Sequence, residues 1–346
     1  MADCGAVPTQ PRVTRPLLAV AAAVVLVAGG ACSSGGDGGG DRAVGGGAAE
    51  ASRPAGPPYA VGRHELTLVD GSRPTPAVPA QGRAAEPDRT IEVEVVYPAA
   101  GDATPEPAAG APSPAEADAE PLPGPWPLVV FAHGFNGRSE FFRGFAEQWA
   151  RQGYAVALPT FPLSRQGIAY SDDYVNQPGD VSFVVDRLAD LDAGDLLDGV
   201  IDTDRYVVGG HSLGSATVFG VAYNSCCLDP RIVGAISVSG GPLLYPDGNY
   251  DHHPTTPMLM IHGGQDQTVA VGVGDLLFDQ GWASPLWYLR PPAATHVSVF
   301  TDEPGRLFTE ASLAFLDAEL GDDPGPLDAM GADVAANGAA EWRTKP

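Results

Sequence analysis

Short apolar runs alternate with amphipathic stretches along most of this chain. After a Gly/Ala/Pro-rich start, Leu66 and Leu68 alternate with polar neighbours over 63–69, and Ile91, Val93 and Val95 share one face over 91–97. A period of two marks a strand with one covered face. Residues 128–131 (Leu128, Val129, Val130, Phe131) are apolar throughout, as in a strand buried on both faces. From there the two patterns take turns: strands are expected at 154–158, 205–208, 232–238, 258–261 and 286–289, and helices at 139–152, 181–192, 213–224, 271–281 and 307–320. Strands that alternate with helices pair in parallel through right-handed crossovers. The expected fold class is therefore α/β: a mostly parallel sheet of about eight strands flanked by helices, its two leading strands antiparallel at one edge. The Ala/Pro/acidic stretch 99–125 reads as an exposed low-complexity loop, and the Gly/Asp/Ala-rich 321–346 as a loose tail, which leaves a domain at 59–320.

The beginning of the chain has a different character. Arg12 and Arg15 precede an uninterrupted apolar run from Leu17 to Ala28, too short to span a bilayer but the right length for the core of an export signal. Small residues, then Cys32, then a Gly/Ser stretch follow. The pattern resembles a bacterial lipoprotein signal, which implies lipidation of Cys32 and a membrane anchor, although Gly29 stands where a large aliphatic residue is usual. Plain secretion with cleavage near Ala31 is the alternative. Residues 1–31 are thus read as a signal and 32–58 as a flexible linker. With Cys4 and Cys32 set aside, only the adjacent Cys226 and Cys227 remain. They allow a vicinal disulfide or two thiols, but no long-range cross-link, so the fold must rest on its core.

Charge narrows the choice of function. The 346 residues carry 19 basic and 43 acidic side chains, a net charge of −24, which excludes a nucleic-acid partner and disfavours anionic substrates. A hydrophobic content of 44% excludes a disordered chain. No carboxylate or histidine cluster has the spacing of an EF-hand loop or a zinc site, so neither a metal nor a cofactor is expected.

The most informative residues are Gly210-His211-Ser212-Leu213-Gly214, between an expected buried strand and an expected helix. There a G-x-S-x-G turn forces the serine into a strained conformation and projects its hydroxyl at the sheet edge. A serine nucleophile needs a base, and the base needs a carboxylate. Of the later histidines, His252 and His253 sit in a polar loop, and His262 suits a buried residue that holds the loop after 258–261. His296 follows the last strand and is taken as the base. Asp266, on a short turn after 258–261, is taken as the acid, ahead of Asp247 and Asp251 in a looser Gly/Pro loop. An oxyanion hole would use the N–H of Leu213 and that of Phe135, in the loop His133-Gly134-Phe135 after the 128–131 strand.

These motifs, with Leu68-Val69-Asp70, Val95-Val96-Tyr97-Pro98, Gly153-Tyr154-Ala155-Val156 and Gly264-Gln265-Asp266, make residues 61–320 resemble an α/β-hydrolase-fold serine hydrolase. More narrowly the chain is similar to secreted bacterial relatives of platelet-activating-factor acetylhydrolases, dienelactone-hydrolase-like proteins and cutinase-type polyesterases. The resemblance implies a Ser212, Asp266, His296 triad, oxyanion donors at Phe135 and Leu213, and cofactor-free hydrolysis of a small-molecule or lipid ester. Two features depart from it. Dienelactone hydrolases use a cysteine nucleophile, and the paired disulfides of polyesterases have no counterpart here. A lipase or peptidase on the same scaffold, and a non-catalytic surface lipoprotein, are the alternatives. The aromatic-containing segment 161–177 reads either as a partial lid or as a packed surface loop.

Overall fold

The leading alternation folds as two long antiparallel strands, β1 (Ala60–Asp70) and β2 (Arg89–Ala99), with Leu68 opposite Ile91. A two-residue strand, β3 (Glu116–Ala117), lies parallel along β1. The α/β alternation then runs β4 (Trp126–Ala132), α1 (Arg143–Arg151), β5 (Ala155–Thr160), α2 (Gln177–Ala189), β6 (Ile201–His211), α3 (Leu213–Tyr223), β7 (Ile232–Val238), β8 (Met258–Ile261), α4 (Gly272–Gln280) and β9 (Leu286–Arg290). The chain closes with α5 (Asp302–Glu319), α6 (Gly325–Asn337) and β10 (Glu341–Lys345). The structure, a computed structural model, describes residues 56–103, 115–251, 255–321 and 323–346. The expected signal, Cys32, most of the linker, His252 and His253 lie outside the described residues.

One sheet gathers all these strands in the order β10-β9-β8-β7-β6-β4-β5-β2-β1-β3. From β5 to β9 the neighbours are parallel, and β2 joins β5 antiparallel. The continuous apolar run of β4 has the expected cause. Leu128, Val130 and Ala132 enter one buried cluster, with Val185 of α2 and Phe219 of α3, while Val129 and Phe131 enter the other, with Trp149 of α1 and Phe308 of α5. Parallel strands end together, so the loops after β4, β6, β7, β8 and β9 emerge at one edge, where α/β sheets carry their sites.

The sheet has ten strands rather than about eight, because β3, inside the expected 99–125 loop, and β10, in the expected tail, each add a strand at one edge. Residues 321–346 are not a loose tail. Leu327, Met330 and Val334 form a buried stripe on α6, and β10 pairs antiparallel with β9. Arg343 lies over the Phe278 ring at 4.1 Å and donates to Asp279 at 2.5 Å, tying β10 to α4. The flank of the expected 99–125 loop is likewise packed: the Tyr97 hydroxyl donates to Ala119 O (2.7 Å), and the Leu122 N–H to Pro98 O (3.0 Å). Cys226 and Cys227 are joined in a disulfide after α3.

An ion network absent from any local pattern anchors the segment between β5 and α2. Arg89 is fully buried and donates to both oxygens of Asp180 (2.6 and 2.6 Å) and of Asp173 (3.0 and 2.8 Å). Arg73 bridges Asp180 (2.9 Å) to Asp70 (2.5 Å). Removing one member of a buried network leaves the others charged and unpaired. Arg89→Ala is expected to lower the unfolding free energy by about 3–5 kcal/mol. Urea denaturation checks this, and a loss below about 1 kcal/mol contradicts it.

Candidate active site

The turn from β6 into α3 is built from close backbone contact. A Cβ on Gly210 would lie 2.3 Å from Gly214 O, and one on Gly214 would lie 2.1 Å from Ala132 O, so neither position accepts a side chain. Between them Ser212 adopts φ 56°, ψ −115°, outside the regions open to ordinary residues. Its N–H donates to Val238 O at 2.9 Å, and the Ser215 N–H donates to Ser212 O at 3.0 Å, so the surroundings hold the strained residue. Such strain costs on the order of 1–3 kcal/mol and persists only where packing over-determines it.

The base and acid expected from the sequence are together. His296, in the loop after β9, hydrogen-bonds through Nδ1 to Asp266 Oδ2 at 2.8 Å. Asp266, after β8, accepts the N–H groups of Thr268 and Val269 on Oδ1, each at 2.9 Å. Burial works to raise the Asp266 carboxyl, but the hydrogen bonds from His296, Val269 and Thr268 hold it below its usual value. It therefore stays ionised and accepts from His296 Nδ1–H, leaving Nε2 to act as the acceptor. Ser212 and His296 line one cavity of about 450 Å³ without a direct hydrogen bond between them. Phe135, Phe141, Phe142, Val297 and Phe300 form its apolar walls.

Phe135 lies in the loop leaving β4. His133 is fully buried; its Nε2 accepts the Phe161 N–H (3.0 Å), so its Nδ1 carries the proton and donates to Gly134 O (2.7 Å). The Gly137 N–H donates to the same carbonyl at 3.0 Å. In a planar trans peptide the Phe135 N–H must then point the opposite way. Neither it nor the Leu213 N–H has a hydrogen-bond acceptor among the described residues. The loop is pressed against the serine: a Cβ on Gly134 would be 3.0 Å from Ser212 Cβ.

Two functional neighbours escaped sequence reasoning, which looked for histidines only after Ser212. His133 orients the Gly134–Phe135 peptide. His211 donates from Nε2 to His296 O (2.9 Å), and its ring lies 4.6 Å from that of His296. The available signal was their position beside the glycines of two functional turns. The segment 161–177 packs rather than covers: Phe161 and Leu163 are buried, and no described residue of it lines the cavity. A second, polar cleft of about 300 Å³ has its Glu92 and Glu94 paired with Arg165 and Arg143. Among the described residues no group of three or more His, Cys, Asp or Glu side chains is arranged to hold a metal ion.

Comparison with known proteins bears on the family and the fold. The profile described as the Alpha/beta hydrolase family matches residues 129–346. A solved ferulic acid esterase from Streptomyces cinnamoneus superposes with a TM-score of 0.62 at 22% identity, over 85% of this chain and 98% of the esterase, a likeness of fold. No curated protein matches the sequence.

The buried histidines make stability depend on pH. Burial depresses His133 to about 4, and burial, with His296 alongside, depresses His211 to about 4, against 6.5 for a free imidazole. Between these values the unfolded chain binds more protons than the folded one, so stability falls as pH drops from 6.5 towards 4. The expected loss is on the order of 3 kcal/mol per histidine across that window. Urea denaturation at pH 7, 5.5 and 4.5 measures it, and a constant unfolding free energy would refute it.

Proposed function

The chain belongs to the alpha/beta hydrolase family, and from that premise we propose that it is an exported serine hydrolase of carboxylic esters. The observation that carries the reading is the Asp266–His296 pair, at 2.8 Å, opening onto the cavity that strained Ser212 also lines. In the proposed reaction Ser212 Oγ attacks the ester carbonyl while His296 Nε2 takes its proton. Asp266 stabilises the imidazolium, and the N–H groups of Phe135 and Leu213 meet the negative charge on the carbonyl oxygen. His296 then protonates the departing alcohol. Water repeats the sequence on the acyl-enzyme and releases the acid.

The apolar, largely aromatic walls and the net charge of −24 favour an uncharged apolar acyl group. The ferulic acid esterase has an aromatic acid in its name, and aromatic acyl esters fit the same walls. Within the family we place the chain near the secreted esterases related to platelet-activating-factor acetylhydrolases, dienelactone-hydrolase-like proteins and cutinase-type enzymes. Ser212→Ala is expected to reduce turnover of neutral p-nitrophenyl esters by roughly 10⁴-fold or more while the circular dichroism spectrum is unchanged. Undiminished turnover in that variant would sink the reading.

The same proposal places the protein outside the cytoplasm, held by a lipid on Cys32 ahead of a flexible tether. Cells fed a labelled fatty acid should transfer the label to the parent chain and not to Cys32→Ala. Export of an unlabelled parent would favour plain secretion instead.

A further inference from the structure

We propose that His262 is a positioning residue for the hydrolysis, holding the Asp266 carboxylate in the orientation that His296 requires. The proposal rests on reading Ser212, Asp266 and His296 as the triad. His262 directly follows β8, is 1% exposed, and does not line the cavity. Its Nε2–H donates to Val269 O at 2.9 Å, and the same nitrogen lies 3.4 Å from Asp266 Oδ2. Val269 in turn gives its own N–H to Asp266 Oδ1 at 2.9 Å. The ring therefore closes a circuit from 262 to 269, from 269 to 266, and from 266 to His296. An ionised carboxylate offers about four lone-pair directions. Thr268 and Val269 occupy Oδ1, and His262 stands beside Oδ2, the oxygen that accepts from His296 Nδ1.

The far side of the ring is closed as well. A Cβ on Gly274 of α4 would lie 2.9 Å from His262 Nδ1 and 2.7 Å from the Tyr288 hydroxyl, so the ring has no room to withdraw from Asp266. The titratable groups around it are Asp266 on its own loop, His296 after β9, His211 at the end of β6, Asp275 on α4 and Tyr288 on β9. Asp275 is occupied by Arg290 (3.1 Å) and Arg343 (3.2 Å), which leaves Asp266 as the carboxylate His262 serves. Burial keeps the ring uncharged, so it supplies a donor without a second positive charge beside the His296 imidazolium. Because both histidines approach Oδ2, losing His262 leaves that oxygen more negative charge with which to stabilise the imidazolium.

The test uses the full chain with His262→Leu, His262→Gln and Gly274→Ala. His262→Leu should lower kcat roughly ten-fold with KM within about two-fold, and move the acid limb of kcat/KM to higher pH. His262→Gln, whose amide reaches the same place, should return the limb to its parent position and restore most of kcat. Gly274→Ala, which displaces the ring without deleting it, should shift both quantities in the same direction by less. A folded His262→Leu with parent kcat and an unmoved acid limb overturns the proposal, even if its melting temperature falls. If that variant does not fold, parent-like kcat and acid limb in Gly274→Ala overturn it. Residual activity in Ser212→Ala would strike the triad itself. An inactive Ser212→Ala beside a parent-like His262→Leu strikes this inference alone.

Discussion

The site depends on how closely the turn between β6 and α3 crosses the end of β4. Ala132 pairs with Gly210, so the two strands release their chains at the same level. Gly214 then rests on the Ala132 carbonyl at a distance no Cβ could share. That crossing forces Ser212 to positive φ and brings Gly134 against it. The loop after β4 and the nucleophile turn are thus one object, assembled from two strands that are distant in sequence and adjacent in the sheet. A side chain at either glycine would separate them, and the strain at Ser212 would lose what confines it.

Around this crossing, four buried or half-buried histidines divide the work. His296 faces the cavity and Asp266. His211 holds the carbonyl of His296, His133 holds the Gly134–Phe135 peptide, and His262 stands beside Asp266 Oδ2. Burial depresses His133, His211 and His262, so each serves as a fixed neutral donor at its working pH. Uncharged supports suit a site where a positive charge must appear on His296 in the reaction and vanish again. The cost is acid sensitivity, since each of these rings must stay unprotonated for the fold to hold.

Much of the fold was legible in the chain because its causes are local. The unbroken apolar run of β4 follows from burial on both faces, and the glycines of 210–214 follow from a turn that excludes Cβ atoms. Asp266 and His296 stood out for the same reason, each lying just past an apolar run that ends at the sheet edge. The last two elements were hidden. In α6 the buried stripe is only Leu327, Met330 and Val334 among glycine, alanine and aspartate, and β10 is a charged edge strand with no apolar alternation. The partners of Arg89 lie 84 and 91 residues away, and in the sequence it is one arginine among many.

The sequence by itself determined the alternation of strands and helices from β4 to α5, the nucleophile turn and the residue types available for the chemistry. Each of those follows from backbone sterics and from a periodicity of apolar side chains that neighbours along the chain express together. Tertiary structure decided which histidine touches which carbonyl, that Arg89 lies buried between two aspartates, and that residues 341–345 join the sheet behind a packed α6. A hydrogen bond or ion pair is fixed by distance in space, and only the packed sheet brings residues 133 and 161, 211 and 296, or 89 and 180 within its reach.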